Sequence, residues 1–125
     1  MSEAAGHYPY QAPIDAYGNG GFRFAGMSHR GSLLCLPTGM WAWEAVQAAN
    51  LSLASMARVL EAAADFNVLL LGLGRDIARL DPALRAAFRE RGVTVEATST
   101  GSAVRTYNIV LGEGRTVAAA LLAVD

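Results

Sequence analysis

The spacing of apolar and polar positions changes period along the chain, and each change marks an element. Val68 to Leu71 is continuously apolar, which suits a strand covered on both faces, and Gly72 stops it. Asp81-Pro82 opens a helix by the cap-then-proline rule. Leu84, Ala87 and Phe88 form its inner stripe, Arg85, Arg89 and Glu90 face water, and Gly92 ends it. Val93 to Ala97 is the next strand. A further helix runs from about Ser102 to Leu111, with Val104, Tyr107 and Leu111 on one face, and Gly112 and Gly114 close it. Val117 to Val124 is the last strand. Strands alternating with helices in this order predict an α/β layer with a parallel βαβαβ half.

The first third of the chain has the period of strands. Phe22 and Phe24 share a face while Arg23 points away, and Ile14 to Tyr17 forms a shorter candidate. Gly18-Asn19-Gly20-Gly21 is a turn cluster, since Gly and Asn tolerate positive φ. Gly26 to Gly31 reads as a second turn region. Ser32 to Leu36 is a continuous apolar run stopped by Pro37, and Met40 to Glu44 returns the chain with Trp41 and Trp43 on one face. The pattern predicts an antiparallel meander. Between the two halves, Ser52 stands as an N-cap before Leu53, Met56, Ala57, Leu60, Ala63 and Ala64 at helical spacing, which predicts a helix ending near Asp65-Phe66-Asn67. Met1 to Pro13 mixes Ala, Gly, Pro and Tyr without period. The expected organisation is a loose arm over residues 1–13 and a single α/β domain over 14–125.

Composition narrows the function classes. Charged residues make up only 17% of the chain against 53% hydrophobic, leaving little charge for a monomer surface. That points to an apolar face covered by a second copy or a protein partner; a large alanine-padded core is the competing reading. A net charge of −1 favours neither nucleic acid nor an anionic membrane. There is no Lys, which excludes a Schiff-base lysine and a Walker-type phosphate lysine. Cys35 is the single cysteine and sits among leucines as a small hydrophobe, so neither an intramolecular disulfide nor a cysteine metal cluster can form. The first residues carry Glu3 and no Arg or Lys, unlike a secretory or transit leader, and no apolar run is long enough to span a bilayer. The expected location is the cytoplasm.

Two turns could carry chemistry. Gly72-Leu73-Gly74 follows a strand, but Ile77 stands where a dinucleotide fingerprint needs its third glycine, so a tight structural turn is the stronger reading. Thr98-Ser99-Thr100-Gly101-Ser102 lies between a strand and a helix, at the sheet edge where open α/β folds bind ligands. A helix N-terminus offers unpaired N–H groups and a dipole that favours anions. The candidate pocket is therefore Gly72, Gly74, Thr98, Ser99, Thr100, Gly101, Ser102, Arg105 and Asn108, for an anion or polar ligand. Capping by Ser99 or Thr100 alone is the alternative. No catalytic set is visible. His7 lies in the arm, His29 in a turn beside Arg30, and Asp76, Asp81 and Glu96 have no metal spacing, so no metal or cofactor is expected.

These residues resemble a known family. Thr100 to Asn108 (Thr-Gly-Ser-Ala-Val-Arg-Thr-Tyr-Asn), followed by Glu113-Gly114-Arg115-Thr116-Val117, is similar to the C-terminal signature of the mitochondrial complex I assembly factor 3 family and its small bacterial and archaeal relatives of unknown function. Phe22-Arg23-Phe24, Arg30-Gly31-Ser32 through Leu36-Pro37, and Gly72-Leu73-Gly74 match its N-terminal β segment and its glycine turn. The resemblance implies a compact three-layer α/β domain with a mixed sheet and a β-rich N-terminal third. It implies no established catalytic activity and, for the mitochondrial branch, help in assembling a membrane-bound respiratory complex. The absence of a transit leader gives the chain the look of a bacterial relative. Leu73, Ser99 and Val104 stand where the family usually has Thr, Asp and often Cys. The function expected is non-enzymatic binding or assembly through a protein partner, with Trp41 and Trp43 as the surface. The alternative is a small anionic-ligand protein or enzyme using Thr98 to Arg105.

Overall fold

The computed structural model describes residues 8–76 and 79–125. A five-stranded mixed sheet runs through the centre. In chain order its strands are β4 (Ser32–Leu36), β5 (Gly39–Trp43), β6 (Val68–Gly72), β7 (Thr94–Thr98) and β8 (Ala118–Leu121), arranged in space as β5-β4-β8-β6-β7. β6 runs parallel to both β7 and β8, whereas β4 is antiparallel to β8 and β5. A second, antiparallel sheet is made of β1 (Ala16–Gly18), β2 (Gly21–Phe24) and β3 (Met27–Arg30). Among the described residues three α-helices complete the fold: α1 (Ala57–Glu61), α2 (Pro82–Arg89) and α3 (Thr100–Gly112).

The period-2 alternation of the central strands sorts the core into two clusters, one on each face. Leu34, Leu36, Trp43, Leu69, Leu71, Val95, Ala118 and Ala120 face α1 and α2, meeting Val59, Leu84 and Phe88. Leu33, Cys35, Met40, Leu70, Ala119 and Leu121 face α3 and the small sheet, meeting Val104, Tyr107, Phe22 and Phe24. These are the three layers: helices, sheet, then helix plus small sheet. Continuous burial of Ser32–Leu36 follows from this double cover. Asp81 caps α2 by accepting from the Ala83 N–H at 2.9 Å.

Four expectations need correction. The turn region Gly26 to Gly31 contains strand β3. The reversal is confined to Ala25 and Gly26, both at positive φ, so Phe24 pairs Met27 directly in a two-residue hairpin. The helix expected from Ser52 to Asp65 is mostly absent. Ser52 and Ser55 bond each other's backbone N–H and hold a turn, α1 covers only Ala57–Glu61, and a 3-10 turn follows at Ala63–Asp65. Leu53 is exposed as a result. The C-terminal helix begins two residues earlier than its pattern suggested, at Thr100. The arm expected over residues 1–13 is instead held to the fold from Tyr8 onward, and the first seven residues, His7 among them, lie outside the described residues.

From Tyr8 the chain is strapped down. Tyr8 exchanges backbone hydrogen bonds with Met40 at 2.8 Å each. Gln11 Nε2 donates to the Val117 carbonyl (2.7 Å), and the Tyr107 hydroxyl donates to the Ala12 carbonyl (2.7 Å). Asn108 closes the strap, its Oδ1 accepting from the Ile14 N–H and its Nδ2 donating to the Ile14 carbonyl, both at 2.8 Å. Ala12 and Ile14 are buried beneath it.

Two acidic groups of this core titrate abnormally. Burial pushes the Cys35 thiol well above its ordinary 9.0. Burial, and then proximity to Cys35, pushes the Tyr107 phenol above its ordinary 10.0. The unfolded chain therefore gives up these protons first. The stability these two groups contribute is present below about pH 9 and is lost progressively as pH rises past their ordinary values of 9.0 and 10.0. Urea denaturation from pH 7 to 11 checks this. Cys35→Ala lowers stability at neutral pH but makes the alkaline decline shallower, with its onset near the tyrosine value.

Candidate functional site

Parallel pairing brings the two turns singled out in the sequence to one rim. Beyond β6 and β7 the ladder continues, with the Leu73 N–H donating to the Thr98 carbonyl and the Thr100 N–H to the Gly74 carbonyl, each at 2.8 Å. The Thr100 hydroxyl then ties three segments together. It donates to the Leu122 carbonyl at 2.7 Å and accepts from the Gly74 N–H at 3.0 Å, while Leu122 N–H reaches the Gly72 carbonyl at 2.9 Å. Thr100 is wholly buried. Gly72 makes room for it, since a Cβ there would lie 2.9 Å from the Thr100 Cα and 3.1 Å from Leu121 Cδ2.

The sequence-derived set therefore divides. Gly72, Thr100 and Asn108 are committed to the fold, two by hydrogen bonds to backbone and one by close packing. Thr98 is half-buried, and its carbonyl belongs to the ladder. Ser99 caps α3 by accepting from the Ser102 N–H at 3.3 Å. Gly74, Ser99, Gly101, Ser102 and Arg105 do line a common cleft of about 410 Å³. Thr100 is absent from its wall because the hydroxyl faces the strand ends.

The cleft has members the sequence reading missed. Tyr17 comes across from β1 and lines both this cleft and a neighbouring groove of about 520 Å³. Its hydroxyl lies against α3, where any side chain at Gly101 would run into it. Nothing local in the sequence announces a contact between residues 84 positions apart. Arg75 also lines the wall, and it does follow Gly74 directly, so its place was legible once the turn was chosen. Arg75 and Arg105 are exposed and have no acidic partner among the described residues. Asp125 contributes one carboxylate to the same wall.

Trp43, expected on a partner surface, is 4% exposed. Its indole N–H donates to the Ser55 carbonyl at 2.8 Å, so it anchors the connection between β5 and α1 to the core. Trp41 is half-buried, with the Arg58 guanidinium 4.0 Å over its ring. His29 bonds the Ser32 carbonyl at 2.9 Å and holds the β3–β4 link.

Comparison with known proteins gives consistent likenesses. The family model described as protein of unknown function (DUF498/DUF598) matches residues 14–122. An uncharacterized protein of Rhodobacter capsulatus is 42% identical over 88% of this chain and 83% of its own length. The mouse protein NADH dehydrogenase (ubiquinone) 1 alpha subcomplex assembly factor 3 is 29% identical over 92% of this chain, which spans 62% of that protein's length. A crystal structure of a Bartonella henselae protein, described as an outer membrane protein, superposes with a TM-score of 0.91 at 47% identity, covering 95% of this chain and 100% of that one.

Thr100→Val keeps the shape and removes the hydroxyl, stranding the Leu122 carbonyl and the Gly74 N–H. The expected loss is about 2–4 kcal/mol by urea denaturation. Ser99→Ala, which removes only a cap, should cost about 1 kcal/mol. A Thr100→Val loss no larger than that of Ser99→Ala would overturn the assignment of Thr100 as the tie between strand ends.

Proposed function

The chain belongs to the DUF498/DUF598 family, and from that premise we propose that it is a non-enzymatic, assembly-factor-like protein that binds another protein. The relatives called NADH dehydrogenase (ubiquinone) 1 alpha subcomplex assembly factor 3 carry an assembly role in their name, and the similarity to them covers nearly the whole of this domain. By analogy the chain assists biogenesis of a respiratory or other membrane complex in a bacterium, acting from the cytoplasm. Among the described residues no helix is long and apolar enough to cross a membrane.

One observation carries the reading. Three polar side chains of the block that bears the family resemblance turn back onto the fold: Thr100, Tyr107 and Asn108 all bind backbone of their own chain. The block thus builds a scaffold, and recognition falls to the surface. We assign that surface to the segment joining β5 and α1. Val46 is 76% exposed and Leu53 52%, and Arg58 stacks on Trp41 at its end. Exposed apolar side chains beside Trp and Arg have the composition of interface hot spots. Affinity capture from a bacterium that carries the gene tests it. Val46→Ser/Leu53→Ser should lose the captured partner while the melting temperature stays near wild type. An unchanged partner list would refute this surface. Trp43→Ala instead should destabilise the fold.

A second reading rests on the cleft itself. Arg75, Arg105, Ser99 and Ser102 converge on about 410 Å³ at the start of α3, a setting suited to a small anion. In a thermal-shift screen with carboxylic acids, phosphates and nucleotides, a hit should disappear in Arg75→Ala/Arg105→Ala. No hit, or one indifferent to both arginines, removes this reading.

A further inference from the structure

The small sheet has a polar side on which Arg23, Ser28 and Arg30 are exposed. Its ladder sets Arg23 opposite Ser28 and Arg30 opposite Gly21. Residues two apart on a strand share a face, so Arg23 and Arg30 stand together as diagonal neighbours, about 7–8 Å apart. Phe22 and Phe24 take the opposite side, into the core. Both arginines are exposed, and neither has an acidic partner among the described residues. Neighbouring like charges on a sheet face weaken it, so the arrangement is a cost to the protein alone.

The space between the arginines is also held open. A hollow of about 380 Å³ lies there, walled by Arg23, Arg30, Phe22 and His29 with Asn19 and Ser28 as neutral donors, and among the described residues no carboxylate lines it. Gly18 and Gly21 contribute no side chain to it. At Gly21 a side chain is forbidden, because it would run into the His29 carbonyl of the paired strand. Two guanidinium forks around one hollow ask for a doubly charged group with three acceptor oxygens, since a lone carboxylate satisfies a single fork.

We infer that this face of the β1–β3 sheet is an anion site in which Arg23 and Arg30 clamp one phosphate-bearing group. The site is separate from the rim cleft and independent of the assembly role. Thermal denaturation with inorganic phosphate or pyrophosphate against chloride, at constant ionic strength, tests it on the full chain. The expected result is a saturable rise in melting temperature of roughly 5–10 °C. Arg23→Gln/Arg30→Gln should abolish the rise and, in chloride, melt no lower than wild type. Arg75→Gln/Arg105→Gln should keep it. No rise in wild type, a rise that survives Arg23→Gln/Arg30→Gln, or one lost only with Arg75 and Arg105 would each overturn the site. Sedimentation with phosphatidylcholine vesicles, with and without phosphatidic acid, separates the sources. Retention on phosphatidic acid that needs Arg23 and Arg30 assigns the phosphate to a lipid headgroup. A melting shift without retention assigns it to a soluble ester.

Discussion

Where parallel strands end, their backbone groups must find new partners or be buried without them. Here that demand is met largely by the hydroxyl of Thr100, which receives the turn after β6 and reaches the chain after β8. Because the same residue opens α3, closing the sheet and placing the helix are one event. Gly72 permits the approach by having no side chain. From that fixed start, α3 lies across the sheet with Tyr107 and Asn108 one face further on, where they hold residues 8–14. A chain of dependence therefore runs from one buried hydroxyl to a strap at the other end of the sequence.

What the sequence disclosed depended on whether the cause was local. The runs Ser32–Leu36 and Val68–Leu71 were legible because burial on both faces leaves no polar position. α2 was legible because Asp81-Pro82 is a complete start signal. β3 was not, since Met27-Ser28-His29-Arg30 contributes almost nothing to the core and owes its conformation to pairing with β2. The helix after Ser52 had the right spacing, but two serines bonded to each other's backbone competed with it and won. Trp43 read as surface for a related reason: alternation along β5 did not reveal that the Ser52–Ser55 turn would take up its indole N–H.

The rim shows the same division in its chemistry. Glycines and hydroxyls between a strand and a helix look alike whether they receive a ligand or fasten the fold. Sequence reasoning located the turn correctly. It could not tell that Thr100 looks back at the strands while Ser99 and Ser102 look out, because the difference is set by the alignment of β6, β7 and β8. The resemblance block has a physical meaning in this light. Its Thr100, Tyr107 and Asn108 act as fasteners.

The order of strands carries a consequence for biosynthesis. β8 comes last among the described strands, yet it lies at the centre of the sheet, between β4 and β6. Until it emerges from the ribosome, the antiparallel pair and the parallel pair have no common edge, and the leucines of both face water. Gln11 likewise waits for Val117, 106 residues later. The domain cannot mature piecemeal from its N-terminus; it condenses only once β8 has been made, in a step dominated by long-range contacts, and until then nascent chains expose the adhesive edges that chaperones recognise.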